Sequence, residues 1–114
     1  MLKISQSPTF RWPVTVMVPV DGGKHEPASF DVEFVRMPQS QVVALLSEVQ
    51  EGKVSEVDGL VRIVRGWAGV VDESGEVPFS EDALRMLVDR FSTAGAEILR
   101  AFGDARSELA RRKN

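Results

Sequence analysis

The chain has 114 residues, 43% hydrophobic and 27% charged, with 14 Lys and Arg against 17 Asp and Glu for a net charge of −3. That size supports a hydrophobic core without covalent staples, and the composition is that of a globular protein, not a disordered one. The absence of cysteine excludes disulfides and thiolate zinc sites, and the acidic balance speaks against nucleic-acid partners, which demand many Lys and Arg phosphate contacts.

The reading is one domain over residues 1–114, with residues 1–12 as an arm and residues 106–114 as a basic end. The first stretch, MLKISQSPTFRW, lacks the apolar run of a signal peptide, and no segment is long and apolar enough to span a bilayer, so a cytoplasmic protein without membrane partners is expected. Strands come first. In PVTVMVPV, Val14, Val16 and Val18 share one face, and in SFDVEFVR, Phe30, Val32 and Phe34 alternate with Asp31, Glu33 and Val35, the period of two of half-buried strands. Between them DGGKHEPA reads as a turn, in which Asp21-Gly22-Gly23 supplies positive backbone angles and Pro27 keeps Glu26 extended.

The period then changes to 3.6. Val42, Leu45, Leu46 and Val49 mark a helix that starts near Pro38 to Ser40 and ends at Gly52. A second helix is expected from Ser55, with Asp58 as a short-armed capping-box partner and Val57, Leu60, Val61 and Val64 as its stripe; Gly59 weakens it by about 1 kcal/mol relative to Ala. Gly66 is read as the break, Trp67 to Val71 as a short third strand, and DESGE as a turn bending near Ser74-Gly75. Ser80 is the expected N-cap of a third helix, with Glu81 and Asp82 in its first turn and Phe79 and Leu84 placed as a hydrophobic staple. Its buried face is Leu84, Leu87, Val88 and Phe91. After a bend at Ser92, Thr93 and Gly95, a last helix presents Ile98, Phe102, Ala105 and Leu109. The fold class is α+β: an N-terminal hairpin and a short third strand in a small sheet, packed by about four helices.

Chemistry is hard to find. His25 lies in an expected turn without a nucleophile or orienting partner. Asp72, Glu73 and Glu76 match no calcium-loop spacing, Gly22-Gly23 lacks the rest of a phosphate loop, and no nucleophile elbow is present. No enzyme, metal or cofactor is expected. Binding requires only surface. Trp67 reads as core, whereas Trp12 between Arg11 and Pro13 suits an exposed edge or interface as well as it suits the core. The last helix carries an apolar seam beside mixed charges, and Phe102, Arg106, Leu109, Arg111 and Arg112 are the candidate partner-binding residues.

The hairpin PVTVMVPVDGG with FDVEFVR, the Val/Leu helix, the segment VRGWAGVVDESGEVPFSEDALRMLV and the Ala-rich last helix together resemble the tail assembly chaperones of long-tailed bacteriophages, chiefly the small chaperone encoded before the tape measure gene. The likeness runs from about Pro13 to Phe102 and is sharpest in GWAGVVDESGEVPFS followed by ALRMLV. It implies a non-enzymatic protein of the infected or lysogenic bacterial cell, absent from the mature virion. Such a protein self-associates, binds and solubilises the tape measure protein, and helps recruit tail tube subunits. In related systems some ribosomes slip by −1 near the end of the gene; Lys113-Asn114 permits, without requiring, a slippery codon pair. The alternative is a tail terminator or head-tail adaptor that stays in the particle.

Overall fold

A computed structural model describes residues 1–106 and has the α+β architecture. Strands β1 (Thr9–Val20) and β2 (Lys24–Val35) form a long antiparallel hairpin. Helices α1 (Gln39–Gln50) and α2 (Glu56–Ile63) follow, then β3 (Val64–Ala68), a two-residue pair β4 (Val71–Asp72) and β5 (Gly75–Glu76), and helices α3 (Glu81–Arg90) and α4 (Ala94–Arg106). The main sheet has the order β1-β2-β3, all antiparallel, and β4-β5 is a separate small ribbon.

Both hairpin strands are longer than their hydrophobic alternation indicates. β1 begins at Thr9, inside the expected arm, and β2 begins at Lys24, inside the expected turn, so His25 and Pro27 are strand residues. The turn shrinks to Asp21-Gly22-Gly23, where both glycines hold positive φ, 89° and 74°. The prolines explain how a strand contains them. Pro13, Pro19 and Met17, which faces Pro27, occupy alternate positions of one register, as do Asp31, His25 and Pro27 opposite. In an antiparallel pair, alternate residues direct their amide groups away from the partner, and proline has no N–H to lose there. The Arg36 amide, of opposite parity, donates to Pro8 O at 2.9 Å and continues the ladder. β3 pairs only with residues 31–34, so towards its tip the hairpin is two-stranded, and both free edges carry proline, which blunts strand addition.

One face of the sheet is buried. Val14, Val16, Val32, Phe34 and Val64 meet Val42 and Leu45 of α1, Leu60 and Ile63 of α2, Leu84 of α3 and Ala94, Ile98, Ala101 and Phe102 of α4. The opposite face is polar: Thr9 Oγ1 donates to Glu33 Oε2 at 2.7 Å, and the Thr15 and Ser29 hydroxyls pair at 2.9 Å. Gly66 is not a breaker. It sits in β3 opposite Glu33, whose carboxylate lies so close that a Cβ on Gly66 would be 2.7 Å from Oε1. α2 runs into β3 without a loop, because Val64 is already extended at φ −99° and ψ 129°. Arg65 is the extra residue of a bulge opposite Glu33 and Phe34, and the third strand therefore starts three residues earlier than expected.

The helix ends follow local rules. α1 closes in a Schellman motif: Gly52, at φ 78°, donates to Val49 O at 3.1 Å and Lys53 donates to Glu48 O at 2.9 Å. Ser55 Oγ accepts from Asp58 N at 3.2 Å, and Ser80 Oγ accepts from Ala83 N at 3.0 Å. Asp58 does not reach back as a capping box; its carboxylate accepts from Arg85 Nη2 at 2.7 Å, while Arg85 Nε donates to Glu81 at 3.2 Å. Gly59 has a packing reason, since a Cβ there would be 2.9 Å from Val49 Cγ2 of α1. Gly95 is within α4, not at the bend, and is pressed against Val88 and Glu56. Leu46 and Phe91, expected in the buried stripes, are 40% and 36% exposed.

The Asp58 to Arg85 pair links α2 to α3 and makes a pH prediction. The hydrogen bond from Arg85, then that of Ser55, holds the Asp58 carboxyl below its ordinary value of 3.8. A depressed carboxylate contributes stability that is present above the unfolded pKa and lost as pH falls through the folded pKa. The denaturation midpoints of the protein and of Asp58→Asn are expected to differ by a constant amount near neutrality and to converge below pH 3.8, as followed by urea titration at several pH values.

Candidate functional site

Two surfaces stand out, one at the open end of the hairpin and one at the tip side. At the open end β1 begins, β2 ends and α4 finishes together. Phe10 and Phe34 are cross-strand partners with ring centroids 5.7 Å apart, and Phe102 of α4 lies 5.2 Å from Phe34 and stacks on Phe10 at 6.4 Å with 18° between planes. Phe102 is 1% exposed. The structure thus places this partner-binding candidate in the core, where it holds α4 on the sheet.

Arg106 is differently placed. Its guanidinium lies 5.6 Å over the Phe102 ring, donates to Met37 O at 3.1 Å and to Gln39 Oε1 at 2.7 Å, and so fastens the end of α4 to the start of α1. With Arg11, Arg36, Phe10 and Trp12 it lines an open cleft of about 540 Å³. Arg11 and Arg36 escaped the sequence reading, because arginines 25 residues apart show their proximity only when the hairpin register is known. Leu109, Arg111 and Arg112 lie outside the described residues.

The second surface is apolar. The segment GWAGVVDESGEVPFS is anchored by Trp67, whose Nε1 donates to Val77 O at 2.8 Å and whose ring meets Phe79 edge-on at 5.1 Å. Its carboxylates serve the backbone: Asp72 Oδ1 accepts from Ser74 N at 2.7 Å and Glu76 Oε1 accepts from Gly69 N at 3.2 Å. The β4-β5 ribbon is thereby held beside α3. Val70 and Val71, Leu87 and Phe91, and Val18 and Phe30 of the hairpin enclose a groove of about 200 Å³. Val71 at 66% and Met86 at 46% exposed continue it outwards, with Asp72, Glu73 and Arg90 beside them. The resulting apolar strip with a charged margin is the anatomy of an interaction surface.

Nothing among the described residues groups three or more His, Asp or Glu as a metal site, and His25 is an exposed strand residue paired across the hairpin with Pro19. No described helix is long and apolar enough to cross a membrane. The described residues thus form an α+β fold with two open surfaces, an arginine-lined cleft and an apolar groove. The family model described as phage tail assembly chaperone matches residues 1–114, the whole chain, and the protein belongs to that family. No curated protein and no solved structure is detectably similar to it.

The buried position of Phe102 makes a prediction that separates core from contact. Phe102→Ala is expected to lower stability by about 3 to 5 kcal/mol, as large aromatic truncations in cores do. Chemical denaturation measures this directly, and a loss below about 1 kcal/mol contradicts the packing described.

Proposed function

We propose that the protein is the chaperone of the tape measure protein: it binds and solubilises that long helical client and helps recruit tail tube subunits around it, in the infected or lysogenic cell, and leaves before the virion is complete. Family membership supports the tail assembly role. The observation that carries the client reading is the groove between the hairpin, β4 and α3, walled by Val18, Phe30, Val71, Leu87 and Phe91. Its apolar lining suits side chains from the apolar face of an amphipathic helix, and Asp72, Glu73 and Arg90 at the margin suit the mixed charges that flank such a face. The role requires no catalytic residue.

Weak individual contacts suffice for a long client. Several copies of the chaperone, self-associated along one tape measure chain, convert each later contact into a local one at high effective concentration. The end of α4, from Arg106 onward through Leu109, Arg111 and Arg112, is the second proposed contact of the complex. Blunted hairpin edges fit a protein that must crowd on a client without polymerising by strand addition.

Co-expression with the tape measure and tail tube proteins, followed by affinity capture and mass spectrometry, tests the reading. The tape measure protein is expected to be insoluble alone and soluble and captured with the chain. The double variant Val71→Asp with Phe91→Asp is expected to remain folded and to lose capture by about tenfold or more, the cost of two exposed apolar contacts turned polar. A tape measure protein that stays insoluble and uncaptured refutes the proposal, and recovery of the chain in purified particles favours the retained adaptor.

A further inference from the structure

The cleft at the open end of the hairpin has a composition that the client groove does not share. In a chain of net charge −3, three arginines, Arg11, Arg36 and Arg106, line it with no carboxylate among the lining residues, although Arg11, at the sheet-face position opposite to Phe10 and Trp12, is the cross-strand partner of Glu33. Each acid-base pair among the described residues lies elsewhere: in the turn after α1, between α1 and α2, between α2 and α3, within α3, and within α4. None of them uses any of these three arginines.

Two of the three guanidinium groups, those of Arg36 and Arg106, are also held. Arg36 lies over the Phe10 ring at 5.3 Å, Phe10 stacks on Phe102, and Arg106 lies over Phe102 at 5.6 Å. Two cations thus bracket an aromatic pair. Stacking on a ring face leaves the N–H edge of Arg36 to meet a planar acceptor, while Arg106 spends one N–H of each terminal nitrogen on Met37 O and Gln39 Oε1 and has only its remaining N–H groups to offer; both have less freedom to lose on binding than a loose side chain has. Between the charges the floor is Phe10, Trp12 and Met37, partly exposed and apolar.

We infer that this cleft binds an acidic polypeptide segment, its Asp or Glu carboxylates on Arg11, Arg36 and Arg106 and an adjacent aromatic or aliphatic side chain on the Phe10 and Trp12 floor. Carboxylates match the guanidinium fork in two-point contacts. Phosphate does so too, but a nucleic acid partner needs a row of cations along its backbone, whereas here the cations form one cluster around an apolar patch on an acidic protein. The chain's own residues 107–114 are the wrong occupant by charge, since they hold Glu108 against Arg111, Arg112 and Lys113. The inference deepens the second contact proposed above. Its chemistry is tested with isolated peptides, so that it succeeds or fails independently of tape measure capture.

The test is fluorescence anisotropy of the full chain with three labelled probes: a twelve-residue peptide of Asp and Glu around one central Phe, the same peptide with Asn and Gln in place of the acids, and a twelve-nucleotide single-stranded DNA. The acidic peptide is expected to bind most tightly and to weaken as salt rises. Arg11→Gln with Arg36→Gln, both exposed, is expected to keep the circular dichroism spectrum and to weaken that binding about tenfold. Lys24→Gln with Lys53→Gln, which removes the same charge elsewhere, is expected to change it less than about twofold. Equal binding of the neutral peptide, tighter binding of the DNA, no binding of any probe, or equal loss in the two double variants each overturns the inference.

Discussion

The stack of Phe10, Phe34 and Phe102 is the constraint on which the arrangement turns. Phe10 and Phe34 are partners in the β1-β2 register, so their contact fixes which residues of the two long strands face inward. A slip by one residue turns the inward face of one strand to solvent and brings either Pro13 and Pro19 or Pro27 to positions that demand an N–H. Phe102 then carries that register to α4, and α4 in turn packs along β1 and against α2. Sheet order, helix placement and the site at the open end are consequences of the same three rings.

A second and smaller anchor governs the other surface. Trp67 belongs to β3, yet its indole N–H reaches past the β4-β5 ribbon to Val77 and its ring meets Phe79 just before the α3 N-cap. One side chain therefore joins the sheet, the ribbon and the entry of α3. With Ser80 bonded to Ala83 N, the direction of α3 is set, and Leu87 and Phe91 are placed opposite Val70 and Val71. The acidic turn is local scaffolding, with the Asp72 and Glu76 carboxylates accepting from the amides of Ser74 and Gly69.

What was legible in the sequence was what depends on a few neighbouring residues. The Ser55 and Ser80 caps, the Gly52 stop and the inward valines were read from local chemistry. Strand length was not, because Thr9–Trp12 and Lys24–Ala28 lack simple alternation and are held extended by their partners across the hairpin, Val32–Val35 for the first and Val16–Val20 for the second. Val64 completes a helical stripe by spacing and is nonetheless a strand residue, since a β-branched side chain suits either and the pairing with Phe34 decides. Phe102 has the look of an exposed seam until Phe10 and Phe34 are seen against it. Arg11 and Arg36 gave no local signal at all; their meeting with Arg106 exists only in three dimensions.

The two surfaces are also tied to one another by a rigid member. Phe10 and Trp12 at the arginine cleft and Val16 and Val18 at the apolar groove are on the same face of β1. From Phe10 to Val18 is eight residues of extended chain, roughly 26 Å at the rise of a strand. A helix covers that distance in about 17 residues. Because both ends of the span belong to one strand pinned in register by the phenylalanine stack, their separation does not vary with loop motion. A partner that engages both sites meets a fixed spacing and loses little freedom on closing the second contact, so two individually weak surfaces act on it as one stronger one.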